Sequence, residues 1–243
     1  MITSAANPRV KLVRKLASRR QRDKLGLFVC EGEDLVGAGL DGGLEPVEAL
    51  VDADRPALAD RLGDAEVVAP DVMAGLSTLP HPARVVAVFR RADLPRDLDL
   101  PVGLALWRVS DPGNLGTLLR AADALGPAFV LLSPGCADPT GPKALRASAG
   151  AVFRVPLGGF GDGGPARRIA LVPRGGEPLS ALELAERVVF VLGAEREGLP
   201  DEVLEDSDAV ATIPLADRAE SLNVATAGAI ALYEWRRGRA RER

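Results

Sequence analysis

The chain has 243 residues, of which 47 % are hydrophobic and 26 % are charged, and its formal net charge is −4. This composition is typical of a globular protein, and the length suffices for one large domain or two small ones. No apolar stretch reaches the roughly 18 uncharged residues of a membrane-spanning helix and the first residues lack a signal-peptide pattern, so we expect no membrane association and a cytoplasmic location.

The first predicted element is a basic amphipathic helix over residues 7–24, with an apolar stripe that includes Val10, Val13 and Leu16. Residues 1–24 contain eight Lys or Arg against Asp23 alone. Such clustering is typical of a phosphate-binding surface, although a solvated helix face is the ordinary alternative. The candidate phosphate-binding residues of this segment are Arg9, Lys11, Arg14, Lys15, Arg19 and Arg20.

From residue 27 to residue 90, short apolar strands alternate with helical segments. The strands are predicted at 27–30, 46–51, 66–69 and 85–90, with helices around 35–40, 57–62 and 70–76. This alternation predicts a small α/β domain over residues 1–95, and the charged, proline-containing segment 91–101 is predicted to be a linker. The charge is unevenly distributed along the chain, because residues 31–72 hold twelve Asp or Glu against only Arg55 and Arg61, whereas residues 236–243 contain five Arg.

A second domain is predicted over residues 101–243, where the strands become continuous apolar runs. These runs cover residues 102–109, 128–132, 169–172 and 188–192, each separated from the next by a helix or a long loop. This pattern predicts a parallel sheet that is covered on both faces. Sheets of this kind bind ligands at the carboxyl ends of their strands.

Three segments at such strand ends combine small and polar residues. They begin at Asp111, with the sequence Asp-Pro-Gly-Asn-Leu-Gly-Thr-Leu-Leu-Arg, at Val191, with Val-Leu-Gly-Ala-Glu-Arg-Glu-Gly-Leu, and at Ile213, in the stretch that contains Ser-Leu-Asn-Val. In the third segment Ser221 is predicted to be the N-cap of a helix. The small residues after it leave room for close approach by a ligand or another backbone.

These segments contain Asn-x-Gly-x-x-x-Arg, Gly-x-Glu-x-x-Gly and Ser-Leu-Asn-Val in order, and the chain thereby resembles the SpoU family of RNA ribose methyltransferases over about residues 100–237. The resemblance implies an α/β SPOUT domain with a parallel sheet and a trefoil knot, preceded by a ribosomal-protein-like substrate-binding domain. It also implies S-adenosylmethionine as cofactor, RNA (most simply ribosomal RNA, with tRNA possible) as substrate, 2′-O-methylation of a ribose, and a homodimer. With these motifs present, RNA becomes the favoured partner of the basic segment.

The resemblance also assigns roles to residues of this sequence. The catalytic candidates are Arg120, Asn114, Glu195, Ser221 and Asn223. The cofactor-binding candidates are Leu192, Gly193, Ile213, Leu215 and Leu222. Because a guanidinium stays protonated, we assign Arg120 to positioning phosphate or the 2′-hydroxyl rather than to the role of a base. Taken singly, Asn114 could be a helix cap, Arg120 a surface arginine and Glu195 a partner of Arg196.

Several competing hypotheses are weaker. Residues 159–164 match G-x-G-x-x-G, after a strand predicted at 152–157, but no helix follows to receive a pyrophosphate, so a surface loop is the better interpretation and a nicotinamide oxidoreductase is disfavoured. The lone histidine, His81, lies between prolines in a loop, where a structural role is the more common one. Cys30 and Cys136 are expected to be free thiols, and no metal site is predicted. A non-catalytic RNA-binding protein with the same fold is the principal alternative.

Overall fold

The computed structural model describes residues 1–77, 81–184 and 187–241. Its first half contains a four-stranded sheet with the order β1-β4-β2-β3, in which β4 is antiparallel to both neighbours and β2 and β3 are parallel. The helices and strands of this half are α1 (Pro8–Lys15), α2 (Arg19–Leu25), β1 (Leu27–Glu31), α3 (Glu33–Asp41), β2 (Glu48–Asp52), β3 (Glu66–Val68), α4 (Pro70–Ala74) and β4 (Val85–Arg90). The helix predicted around residues 57–62 is a 3₁₀ helix over Pro56–Arg61.

The single helix predicted over residues 7–24 is wrong, because the chain breaks between α1 and α2. Arg22 explains the break: its Nη1 donates to the carbonyl oxygens of Leu16 and Ala17, at 2.8 Å each, and so satisfies two acceptors that a continuous helix would have used internally. The predicted apolar stripe is confirmed. Val10, Val13 and Leu16 are buried against the sheet of this half.

The second half contains a seven-stranded, all-parallel sheet with the order β7-β6-β5-β10-β8-β11-β9. Its elements are β5 (Val102–Leu106), α5 (Pro112–Leu125), β6 (Ala128–Leu132), α6 (Pro142–Ser148), β7 (Leu157–Gly159), β8 (Arg167–Leu171), β9 (Glu177–Pro178), β10 (Val188–Leu192), α7 (Asp201–Glu205), β11 (Ala209–Thr212) and α8 (Val224–Arg241). The central strands β5 and β10 are buried along their whole length, as their continuous apolar sequences predict.

The strand predicted over residues 152–157 is wrong. Ala151–Phe153 forms a 3₁₀ turn whose three side chains are buried, and β7 starts only at Leu157. The turn follows two left-handed residues, Ala149 and Gly150, with φ of 48° and 83°. Only glycine is accommodated at position 150, because a Cβ there would clash with the Cβ of Ala38 at 2.6 Å. The apolar run therefore packs against the first half instead of extending the sheet.

The path of the chain from β11 to α8 is the part that would form the predicted knot. After β11, residues 213–223 lead back past β8 and β10, and α8 then packs against α5 and the buried strands β5 and β10. Gly228 makes the close packing of α8 possible, since a Cβ there would lie 2.3 Å from Cδ2 of Leu118. The topology thus places residues 193–199 and 213–223 at one edge of the sheet. The threading of one through the other stays a prediction from the resemblance.

One hydrophobic core runs through both halves. The rings of Phe28, Phe89 and Phe153, from both sides of the predicted linker, lie 6.0–6.3 Å apart. The predicted division at residues 95–101 falls between the two sheets and stays a prediction. No helix within the described ranges is long and apolar enough to cross a membrane.

A buried ion cluster joins the two halves beside this core. Oδ2 of Asp138 accepts from Nε of Arg22 and from Nη2 of Arg91, at 2.8 Å each, and Oδ1 accepts from the hydroxyl and amide of Thr140. Burial raises the pKa of Asp138, but the hydrogen bonds from Thr140 and the charge of Arg91 outweigh it, so the pKa lies below its usual range. The carboxylate is therefore stabilised in its ionised form.

We predict that Asp138→Asn lowers the free energy of unfolding by about 3–5 kcal/mol, because it leaves a buried arginine without its counter-charge. Since the pKa is depressed, this contribution is present at neutral pH and is lost as pH falls below about 4, through the folded-state value. Urea unfolding between pH 7 and pH 3 measures both effects. The matched control is Asp41→Asn, which removes an exposed pair with Arg61 and should cost at most about 1 kcal/mol. Equal losses for the two variants would contradict the prediction.

Candidate functional site

A pocket of about 590 Å³ lies at the carboxyl ends of β8, β10 and β11. Its walls come from the residues that follow these strands, in the loops 172–176, 193–199 and 213–223. All five residues predicted to bind a cofactor line it: Leu192, Gly193, Ile213, Leu215 and Leu222. Glu195, Ser221 and Asn223 line it as well. Strand ends in a parallel sheet thus bring together residues that are far apart in sequence.

Gly193 shapes the pocket by letting its own loop fold back. Ala194 and Gly198 exchange backbone hydrogen bonds of 3.0 and 3.1 Å, and a Cβ on Gly193 would lie 2.3 Å from the carbonyl carbon of Gly198. Replacing Gly193 with valine would therefore displace residues 193–199 first. The reason for a glycine here is the close approach of backbone to backbone, not only room for a ligand.

The start of α8 is capped by Asn223, and the prediction that Ser221 is the N-cap is wrong. Oδ1 of Asn223 accepts from the amides of Ala225, at 2.8 Å, and Thr226, at 3.3 Å. Asparagine and serine are equally good caps, so the sequence alone did not decide between positions two residues apart. Ser221 is exposed on the pocket wall instead.

Asn223, Asn114 and Glu195 form a continuous chain of hydrogen bonds at the edge of the pocket. Nδ2 of Asn223 donates to Oδ1 of Asn114, at 3.0 Å, and Nδ2 of Asn114 donates to Oε1 of Glu195, also at 3.0 Å. The three predicted residues therefore act as one unit, which we call the amide relay. Glu195 does not pair with Arg196, the alternative open from the sequence, but accepts from Asn114 in the first turn of α5.

Asp111 sets the position of Asn114. It is the N-cap of α5, since its Oδ1 accepts from the Asn114 amide at 2.8 Å, so Asn114 itself is not a cap. That backbone hydrogen bond and the hydrogen bond from Lys143 keep the pKa of Asp111 below its usual range. Asp111 precedes the Asn-x-Gly-x-x-x-Arg motif and is not among the predicted site residues. Its place three residues before Asn114 at a strand-to-helix junction is the pattern that could have identified it.

Arg120 is separated from the relay. It is exposed on α5, six residues after Asn114, which corresponds to about 9 Å along the helix, and it does not line the pocket. The structure thus brings together four of the five catalytic candidates and leaves Arg120 on the neighbouring surface. Further pocket residues that the sequence did not single out are Leu171, Val172, Pro173, Leu199 and Ala227.

The competing sites find no support in the geometry. In residues 159–164, the carboxylate of Asp162 accepts from the amide of Gly159 and closes a tight turn, and the next regular element is β8 rather than a helix. His81 is exposed. Among the residues that the structure describes, no group of three or more His, Cys, Asp or Glu could hold a metal ion. Both cysteines are buried free thiols, and burial raises the pKa of Cys30.

Comparison with known proteins gives two family matches. Residues 101–233 match the SpoU rRNA methylase family, and residues 7–87 match an MRM3-like substrate-binding domain. An uncharacterized tRNA/rRNA methyltransferase of Synechocystis is 36 % identical over 261 residues, covering 97 % of this chain and 93 % of the relative. The 23S rRNA (guanosine(2553)-2′-O)-methyltransferase RlmP of Bacillus subtilis is 31 % identical, covering 97 % of this chain and 98 % of that protein.

Solved structures agree with these matches. The crystal structure of an AdoMet-bound rRNA methyltransferase from Sinorhizobium meliloti has a TM-score of 0.85 and 32 % identity, and the alignment covers 98 % of this chain and 97 % of that chain. The likeness confirms the predicted fold class, in which a parallel α/β domain follows a substrate-binding domain.

The two roles of Asn223 can be separated experimentally. We predict that Asn223→Ala lowers the free energy of unfolding by about 1 kcal/mol through loss of the cap, whereas Asn223→Asp stays within about 0.5 kcal/mol, because aspartate caps equally well. Aspartate has no N–H for Asn114, however, so the relay is broken in both variants.

The NMR signal of the Asn114 side-chain amide detects the loss of its hydrogen bond with Asn223. The chain has only Asn7, Asn114, Asn223 and Gln21 as side-chain amides, so their signals are readily assigned. We expect the Asn114 signal to shift in Asn223→Asp while the unfolding midpoint stays unchanged. An unperturbed Asn114 signal would show that the relay does not exist in solution.

Proposed function

The chain belongs to the SpoU rRNA methylase family of RNA methyltransferases, and from this we propose that it methylates the 2′-hydroxyl of a ribose in ribosomal RNA. The observation that carries the proposal is the amide relay at the edge of the pocket, which joins the three family motifs in one hydrogen-bonded unit. The activity of RlmP, a 23S rRNA 2′-O-methyltransferase, supports the substrate and the position of methylation. A cytoplasmic location accords with such a substrate.

S-adenosylmethionine is the cofactor of this family, and the pocket fits it. The volume of about 590 Å³ is within the usual range for small-molecule sites. Apolar side chains of Leu192, Ile213, Leu215 and Leu222 offer contacts for adenine, and the backbone of the three loops that line the pocket offers hydrogen bonds to the polar parts. When bound, the cofactor supplies a methyl group that its sulfonium already activates.

The protein's own contribution is chiefly alignment. Holding two reacting groups in the right geometry lowers the activation barrier by about 7–11 kcal/mol. A general base raises the rate by about 10²–10⁴-fold, which corresponds to a smaller reduction of about 3–5 kcal/mol. The relay fixes Glu195 through Oε1, and we assign its second oxygen to a ribose hydroxyl. Arg120, a permanent cation on the neighbouring surface, holds the phosphate or polarises the 2′-hydroxyl. The exposed hydroxyl of Ser221 completes the polar edge of the pocket.

We propose that α1 and α2 form part of the RNA-binding surface, with a smaller set of residues than the sequence indicated. Arg9 is paired with Glu48 and Glu66, and Arg14 is within reach of the Gly75 carbonyl. Lys11, Lys15 and Arg20 are exposed and make no ion pair within the described part of the chain. These three are therefore the residues most accessible to phosphate.

The homodimer implied by the family stays a prediction. The small residues of the C-terminal helix, with Ala225, Ala229 and Leu232 on one face, suggest an interface element, but Ala225 and Leu232 are buried inside this chain against α5 and the sheet, and Ala229 is half-buried. If α8 contributes to an interface, it does so through its exposed side, which includes Thr226 and Tyr233.

The test of the proposed function is methyl transfer by the wild-type protein and by Arg120→Ala. With unmodified large-subunit ribosomal RNA and labelled S-adenosylmethionine, we expect the wild type to create sites that resist alkaline cleavage, since this cleavage needs a free 2′-hydroxyl. Arg120→Ala should lose at least about 100-fold of this activity, as expected when a charged contact worth about 3 kcal/mol is removed. Its affinity for the cofactor should stay within about twofold, because Arg120 does not line the pocket.

Arg55→Ala is the matched control, since Arg55 is an exposed arginine in the acidic part of the first half. Binding of RNA without any methyl transfer by the wild type would favour the alternative, a non-catalytic RNA-binding protein. Methylation on a base rather than a ribose would contradict the proposed position.

A second prediction concerns the basic helices. Replacing Lys11, Lys15 and Arg20 with glutamine should lower the slope of log K against log salt by roughly 2, at about 0.7 for each phosphate contact on a single strand. Affinity for all RNAs should fall together, because phosphate contacts carry little sequence information. Filter binding over a salt series measures the slope.

Point substitutions are needed here because deletion of residues 1–24 would expose the core. Val10, Val13 and Leu16 are buried, and Ile2 forms a β-bridge with Val68. The triple variant should unfold at the wild-type temperature. An unchanged salt slope would mean that α1 and α2 only cover the core.

A further inference from the structure

We propose that Arg108 binds a phosphate of the target nucleotide in a second cleft beside the cofactor pocket, an inference that rests on the proposed function. The cleft has a volume of about 450 Å³ and is lined by Arg108, Asp111, Gly135 and the stretch 194–197, among others. Residues 194–197 also line the cofactor pocket. One loop therefore separates the two cavities, as transfer between a cofactor and a nucleotide requires.

The backbone of Arg108 is held in an unfavourable conformation. Its φ is 53°, in the left-handed region that non-glycine residues seldom adopt. The conformation is maintained by its amide, which donates to Oγ of the buried Ser133 at 2.8 Å. Strain of this kind persists where the surroundings impose it, and it is concentrated at functional sites. Here it directs a long cationic side chain along the wall of the cleft.

Gly135 lies against that side chain. A Cβ at Gly135 would be in van der Waals contact, at 3.4 Å, with both Cγ and Nε of Arg108. The guanidinium makes one ion pair within the described residues, a long contact of 3.9 Å with Glu197, and both side chains are more than half exposed. Such a pair is weak and can be replaced by a phosphate, which accepts stronger, bidentate hydrogen bonds from arginine.

The carboxylates of the cleft do not exclude a nucleotide. Asp111 is engaged by Lys143 and by the start of α5, and Glu195 by Asn114. A nucleotide carries hydroxyl donors as well as a phosphate, so a lining with both carboxylates and arginines is complementary to it. A free phosphate has no ribose hydroxyls and would fit less well.

The cleft also adjoins the basic helices. Nη1 of Arg19, the first residue of α2, donates to the carbonyl oxygen of Cys136 at 3.0 Å. Cys136 is the neighbour of Gly135 in the cleft wall. RNA bound along α1 and α2 could therefore continue past this wall to Arg108, and the phosphate contacts would form one continuous path.

The experiment uses Arg108→Gly, because glycine accepts a positive φ without strain and removes the charge. With unmodified large-subunit ribosomal RNA, we expect KM for RNA to rise at least about tenfold, with kcat and cofactor affinity within about twofold of wild type. The slope of log K against log salt for RNA binding should fall by about 0.7, the value for one phosphate contact on a single strand. The melting temperature should be unchanged or higher, since the strain is relieved. Arg108→Asn, which also tolerates the left-handed region, is a second folded variant.

Arg55→Ala again serves as the control and should behave as the wild type. An unchanged KM and salt slope in both Arg108 variants would overturn the inference, and so would a loss of cofactor binding equal to the loss of RNA binding. The binding series needs no turnover. A wild-type protein that shows an Arg108-dependent slope but transfers no methyl group would contradict the proposed function and leave the phosphate site supported.

Discussion

The direction of the hydrogen bonds in the amide relay is fixed at both ends, and the arrangement of the site depends on it. At one end Glu195 is a carboxylate and can only accept, so Asn114 must present its Nδ2. At the other end the free amides of α8 can only donate, so Asn223 must present its Oδ1 to them. The remaining atoms, Nδ2 of Asn223 and Oδ1 of Asn114, are then a matched donor and acceptor. The network has one consistent orientation of both amides.

That single orientation ties the loop 193–199 to the starts of two helices. Because the cap of α8, the first turn of α5 and the loop 193–199 share the same chain of hydrogen bonds, none can shift alone without leaving a polar group unsatisfied. Fixed geometry of this kind suits a reaction in which alignment contributes more than proton transfer.

The sequence predicted those features that depend on neighbouring residues. The strands β4, β6 and β10 have the predicted boundaries, because continuous apolar runs identify buried strands. Features that depend on distant residues were missed. The break between α1 and α2 requires Arg22, whose burial is compensated by Asp138, 116 residues away. Likewise, the run at 151–153 turns toward the first half because Phe153 packs against Phe28 and Phe89.

For the site, the family motifs identified the relay and five pocket residues, but not the strained Arg108. A positive φ at a non-glycine residue leaves no trace in periodicity or composition, and the hydroxyl that maintains it, on Ser133, lies 25 residues away. Asp111 could have been found from its spacing. The choice of Asn223 over Ser221 as the cap needed the exact start of α8, which small residues do not define.

The buried cluster around Asp138 has a consequence for how such proteins can be recombined. Its two arginines come from the first half and its carboxylate from the second, in the same loop whose Gly135 borders the cleft. The two halves are therefore not interchangeable parts joined by a tether. Consider a chimera whose substrate-binding half comes from a relative without arginines at positions 22 and 91. The carboxylate of Asp138 would then be buried without a counter-charge. Functional hybrids should arise only between parents that share this triad.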